Sequence, residues 1–174
     1  IYAPTFRADC GVDVFKINYN NLIEVLEEKL GGEWCILVRL HPNISNKADF
    51  IKYDSKIINA TNYDDMYELL AASDILITDY SSTMFEFSLT YKPVFLYAPD
   101  IQSYKYERNF YFDIFALPFP LAETEEQLYK EIENFDTEKY SVRLKNFFDQ
   151  LGVIEDGKAS KRVVEKLLFH IGNN

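Results

Sequence analysis

Cysteine is scarce in this chain of 174 residues: there are two, Cys10 and Cys35. They have neither CxxC nor metal-ligand spacing, which excludes a zinc knuckle and a dithiol redox site. Cys35 follows Trp34 at the start of an apolar run and is expected to be a buried free thiol, in keeping with a reducing compartment. Positive charge is also short. Lys and Arg number 18 against 28 Asp and Glu, a net charge of −10, which opposes electrostatic binding of nucleic acid or anionic lipid by this piece. A local basic pocket for one phosphate is still compatible with that balance. Glycine has six copies and forms no rich loop. Neither the GxGxxG of a dinucleotide fold nor the GxxxxGK[ST] of a P-loop occurs. No apolar run approaches the ~20 residues of a membrane span. The start, IYAPTFRADCG, lacks a basic and then apolar leader. It opens directly on a strand-like IYAP, as expected of a piece of a longer chain.

Hydrophobic residues make up 48% and aromatic residues 16%, with 13 Tyr and 14 Phe, so the chain can bury a core and is not disordered. Strand character falls at IYAPT (1–5), CILVRL (35–40), KIINA (56–60), DILITD (74–79) and KPVFLYAP (92–99). Pro93 is tolerated at the first residue of its strand. Helical stretches lie between them. In NNLIEVLEEKLGG, Leu22, Val25, Leu26 and Leu30 share a face and Gly31–Gly32 end the helix. In NYDDMYELLAAS, Asp64 or Asp65 caps the start while Met66, Leu69 and Leu70 point inward. STMFEFSLTY reads as a helix starting at Ser81 or Ser82. Segment 101–121 is aromatic and irregular, and residues 123–135, 137–151 and 157–171 read as three closing helices. No repeat, low-complexity tract or linker interrupts the series. This alternation predicts an α/β, Rossmann-like parallel sheet with helices on both faces, forming one domain over residues 1–174.

Ligands of open parallel sheets bind beyond the carboxyl ends of the strands. The polar residues just after each strand are therefore the candidates: Thr5, Phe6 and Arg7; His41, Pro42 and Asn43; residues 79–83; Pro99 and Asp100. The run LITDYSST (76–83) passes from a buried strand straight into an acid, an aromatic and three hydroxyls. Ser81 or Ser82 can be an ordinary helix cap, or the hydroxyls and first-turn amides can hold a phosphate. His41 can be a loop residue fixed by Pro42, a phosphate donor or a proton carrier. Arg39 points to the same side as His41. Buried in an apolar run it needs a partner, and an ion pair with a carboxylate such as Asp79 is expected. Glu86, one turn into the helix between Phe85 and Phe87, can reach a ribose diol or simply be solvated. The cluster YKYERNFYFD (104–113) is too dense for a plain loop. It suits core, a base-stacking wall or an interface, and its Arg108 can meet a phosphate. His170 is expected at the surface.

Taken in order, YAPTFR, RLHPN, SDILITDYSS, KPVFLYAPD, RNFYFD and DGKASKRVVE resemble the CDP-glycerol glycerophosphotransferase family, the teichoic acid primases and polymerases of bacterial cell walls. The likeness runs from the first residue to about Glu165. It implies one half of a GT-B glycosyltransferase-like fold, namely the carboxyl-terminal, donor-binding domain of a two-domain enzyme. It implies transfer of glycerol phosphate from CDP-glycerol to a poly(polyol phosphate) acceptor with release of CMP, without metal or redox cofactor. By the motif match His41 is the catalytic candidate, contacting or polarising the donor pyrophosphate. Asp79, Ser81 and Ser82 would form the phosphate cradle, Glu86 would face the ribose, and Arg7 and Arg108 would neutralise phosphate charge. The family more often carries Asp near position 86. The general base is expected on the other domain, with His41 as the lesser candidate. The polyanionic acceptor would also be held there, at the inner face of the membrane. Nucleic acid is not an expected partner, and oligomerisation is left open. The alternatives are a CDP-ribitol or other nucleotide-linked donor, a non-catalytic nucleotide-binding module, and a sugar-nucleotide 2-epimerase-like protein, disfavoured because it would carry SGG in place of YSS.

Overall fold

Residues 1–3 run through the middle of a parallel sheet. In this computed structural model, which describes residues 1–7, 14, 16–47, 50–107, 110 and 112–172, Tyr2 bridges both Val38 and Ile77. The Tyr2 amide donates to Leu37 and the Ala3 amide to Ile77. This joins a pair, β1 (Ile36–Val38) with β2 (Ile57–Asn59), to a trio, β3 (Leu76–Thr78), β4 (Val94–Tyr97) and β5 (Leu121–Ala122). Every pairing is parallel, so the order across the sheet is β2, β1, residues 1–3, β3, β4, β5.

Alternation along each strand sends successive side chains to opposite faces, and both faces are covered. Tyr2, Ile77, Phe95 and Tyr97 face a core with Leu22, Ile23 and Leu26 of α1 (Tyr19–Leu30). Ala3, Leu76, Val94 and Leu96 face a second core, built by Leu70 of α2 (Met66–Ala72), Phe87 of α3 (Thr83–Ser88) and Ile101 of α4 (Ile101–Glu107). Leu128 and Ile132 of α5 (Glu125–Glu133) extend the first core, and Tyr140, Leu144 and Phe148 of α6 (Thr137–Leu151) extend the second. The expected α/β class with helices on both faces is observed. Asp65, not Asp64, caps α2, accepting from the Tyr67 and Glu68 amides. Gly152 closes α6 at φ 67°, its amide donating to Asp149 and that of Val153 to Phe148. This 6→1 and 5→2 pairing needs a left-handed residue.

Four expectations need correction. The strands are shorter than their apolar runs. Segment 101–121 is not irregular, since it holds α4, a 3-10 turn at Ile114–Ala116 and the edge strand β5. Cys35 is exposed, because it precedes β1 at the open amino-terminal edge of the sheet. Leu30 is exposed too, because it ends α1 beyond the covered part of its face. Cys10 and Arg108 lie outside the described residues.

The last helix, α7 (Ala159–Gly172), buries none of its residues. Its stripe of Val163, Val164, Leu167, Leu168 and Ile171 stays exposed, as does His170. Within this chain, Leu167→Ser should therefore shift the urea unfolding free energy by only ~0.5 kcal/mol. Leu144→Ala, from a fully buried site, should cost about 2–5 kcal/mol. Equal losses would mean that α7 packs on this domain after all.

Candidate functional site

The carboxyl ends of the first strand, β1 and β3 open into a cleft of about 670 Å³ lined by Thr5, Phe6, Arg39, His41, Tyr80, Ser81, Ser82 and Thr83, among others. Three sequence candidates, His41, Ser81 and Ser82, meet there. Phe6, Tyr80 and Thr83 join them, and their only sequence signal was adjacency to the same strand ends.

His41 follows β1 and is exposed. Pro42 starts a 3-10 turn, Pro42–Lys47, where its missing N–H is harmless. That turn aims the Asn43 amide at His41 Nδ1, 3.2 Å away. A neutral imidazole that accepts at Nδ1 carries its proton on Nε2, so the ring has a donor left to offer. The Phe6 ring lies 5.1 Å from the imidazole, tilted by 34°. Arg39 lines the same cleft, as strand parity requires, but the expected ion pair with Asp79 is not formed. Its Nη1 donates to the carbonyls of Ala60, at 3.2 Å, and Tyr63. Those neutral acceptors leave its charge uncancelled.

The turn after β3 brings the hydroxyls. Ser81 Oγ accepts from the Thr83 amide at 3.3 Å and the Thr83 hydroxyl at 2.8 Å. Ser82 occupies the cap position of α3 but makes no side-chain capping bond. The ordinary-cap reading therefore fails for Ser82, which is an exposed residue. With six residues, α3 brings its first-turn groups to the cleft rather than a long dipole.

Arg7 and Asp79 are placed differently from expectation. Both are buried beneath the cleft rather than lining it. Arg7 forks onto Asp100, with Nε at 2.6 Å and Nη2 at 2.9 Å, and pairs with Asp79 at 2.8 Å. The second oxygen of Asp79 accepts from the Thr5 amide at 2.8 Å and the Tyr80 amide at 2.6 Å. Tyr80 donates its hydroxyl to Asp100 at 2.9 Å and stacks on Tyr104 at 3.8 Å. The guanidinium carbon sits 4.8 Å and 5.2 Å from those two ring centres. An arginine so engaged ties together the loops that carry Thr5, Asp79 and Asp100. Asp79 is a buried carboxylate whose oxygens are taken by two backbone amides and Arg7. Glu86 is also elsewhere. It is exposed on a separate apolar groove of about 240 Å³ with Phe85, Leu89, Phe112, Phe147 and Phe148.

Burial disfavours the Asp100 carboxylate, but the hydrogen bond and charge of Arg7 outweigh it and hold the carboxyl below its ordinary value. Burial and the Asp100 charge push the Tyr80 phenol far up, so it stays a neutral donor. No group of three or more His, Cys, Asp or Glu fit for a metal occurs among the described residues. The cleft thus offers two cationic or protonatable side chains, His41 and Arg39, with hydroxyls opposite. That set suits an anion with several oxygens.

The chain as a whole is similar to known proteins. A family model described as CDP-Glycerol:Poly(glycerophosphate) glycerophosphotransferase matches residues 1–169. The teichoic acid poly(glycerol phosphate) polymerase of Bacillus spizizenii is 34% identical over 97% of this chain, which spans 44% of that protein. The teichoic acid poly(ribitol-phosphate) polymerase of the same organism is 35% identical over 97% of the chain and 27% of that protein. Among solved structures, a variant of the wall teichoic acid polymerase TagF soaked with CDPG matches with a TM-score of 0.74 at 36% identity, covering 99% of this chain and 43% of the other. The chain therefore spans less than half the length of these relatives.

The Asp100 pair has a pH signature. Its stability contribution is fully present above the unfolded carboxylate value of about 3.9 and is lost as pH falls through the lower folded value. Asp100→Asn should be less stable than the parent at neutral pH. It should also lose less stability than the parent between roughly pH 5 and pH 2 in urea melts. Parallel losses would remove Asp100 from the linkage.

Proposed function

Because the chain belongs to the CDP-glycerol:poly(glycerophosphate) glycerophosphotransferase family, we propose that residues 1–174 are the donor-binding domain of a longer two-domain transferase. The reaction is transfer of glycerol phosphate from CDP-glycerol to a polyol-phosphate chain, with CMP as leaving group. Each turnover breaks the donor's pyrophosphate bond and forms a phosphodiester with the acceptor hydroxyl. The observation that carries this reading is the convergence of His41, Arg39 and the residue 81–83 hydroxyls on one strand-end cleft.

Phosphoryl transfer asks the protein mainly for positioning and for neutralising charge. His41 Nε2–H donates to a diphosphate oxygen and stabilises the charge that builds on CMP as it leaves. Ser82 and Ser81 hold neighbouring oxygens, and Arg39 supplies the fixed positive charge. The base that takes the acceptor's proton comes from the other domain, as does the surface that holds the polyanion. This domain's net charge of −10 does not favour holding such a polymer. The assembled enzyme would act peripherally at the inner face of the membrane, and none of the described helices is long and apolar enough to cross one. A ribitol donor is the second reading, favoured by the 35% identity to a poly(ribitol-phosphate) polymerase.

Calorimetric titration with CDP-glycerol, CDP-ribitol, CMP and UDP-glucose tests this. The CDP-polyols should bind saturably and more tightly than UDP-glucose. His41→Ala should weaken them about tenfold, the value of one good hydrogen bond to a charged oxygen. Equal binding of UDP-glucose, or no effect of the substitution, would contradict the donor assignment.

A further inference from the structure

Resting on that reading of the cleft, we propose that Arg7 is a positioning residue for the donor. It touches no phosphate itself and sets the geometry of the residue 81–83 hydroxyls through Asp79 and Tyr80. Three loops that are far apart in sequence meet on its guanidinium. Nε and Nη2 take both oxygens of Asp100, at the end of the β4 loop. Nη2 also pairs with Asp79, just past β3, and Nη1 donates to the carbonyl of Thr5 in its own loop. Asp79 then spends its other oxygen on the Thr5 and Tyr80 amides. Tyr80 is thus held at its amide by Asp79, at its hydroxyl by Asp100, and across its ring by Tyr104 and the guanidinium. The next residue is Ser81.

Charge argues for geometry over direct anion binding. Among the described residues the hub holds one cation and two carboxylates, with side chains 8%, 2% and 16% exposed for Arg7, Asp79 and Asp100. The net charge of about −1 on these groups does not attract a diphosphate, and freeing Arg7 for one would strand the buried Asp79 and the half-buried Asp100. A planar fork that fits both acids and two ring faces at once is a device for fixing loops. The point charge of a lysine cannot do the same.

The test compares the parent chain with Arg7→Lys, which keeps the charge and loses the fork. Donor affinity is titrated with CDP-glycerol, and amide hydrogen exchange is followed by NMR. Arg7→Lys should weaken CDP-glycerol about tenfold. In a Ser81→Ala, Ser82→Ala background the same change should cost less than about threefold, because the groups it positions are gone. Amides 81–83 should exchange at least about tenfold faster, with α1 amides unchanged. Leu144→Ala, in the part of the second core that α6 builds, should lower the melting temperature without moving affinity. If Arg7→Lys does not fold, Tyr104→Leu, which keeps the ion pairs and removes one ring face, should show the same coupling at about threefold. Unchanged affinity in Arg7→Lys, the same loss with and without the two serines, or acceleration spread evenly over the chain would each overturn the inference. If the parent itself binds no CDP-glycerol, the donor reading falls, and exchange confined to amides 81–83 then decides the positioning role alone.

Discussion

The Arg7 guanidinium, buried between Asp79 and Asp100, is the interaction on which the cleft depends. Parallel strands end in loops with no partners of their own, and a ligand site at such an edge is only as rigid as those loops. Here one side chain fastens three of them. Its own charge survives burial because the hydrogen bonds and charges of Asp100 and Asp79 more than reverse the cost. Removing one partner would leave a buried charge unpaired, the expensive way to lose an ion pair. The hydroxyls of residues 81–83 and the His41 ring line one cleft above it.

The rest of the site follows from local chemistry. Pro42 starts a turn whose second amide fixes the His41 tautomer. Arg39 satisfies two carbonyls, which hold its side chain without neutralising it. Ser82 sits where a cap would, yet caps nothing. In a chain this acidic, such a small cationic and hydroxylic spot is a selective place for an anion.

Much of this was legible in the sequence because parallel sheets enforce it. Strands buried on both faces read as unbroken apolar runs, so β1, β3 and β4 stood out, and several of the residues after the strands line one cleft. Strand parity put Arg39 beside His41. What could not be read was which polar groups would pair below the surface. Arg7, Asp79 and Asp100 lie in three loops, and only the assembled sheet brings them within 3 Å. A motif match therefore does not reveal that Arg7 and Asp79 are buried and paired with each other. Glu86 lies apart from the cleft for a related reason. Being one turn into α3 does not say which flank of the helix it occupies, and the fold puts it on an apolar groove. The helix α4 was hidden because Tyr104 and its neighbours read as a bare aromatic cluster. The exposure of Cys35 was hidden because an apolar run does not reveal where its strand leaves the covered part of the sheet.

The most direct test of the account is a structure of this domain with CDP-glycerol bound. The diphosphate should lie within hydrogen-bonding distance of His41 Nε2 and Ser82 Oγ, with Arg7 still clasped by Asp79 and Asp100. A diphosphate held by Arg7 itself, or a nucleotide seated in the groove beside Glu86 and Phe147, would contradict it.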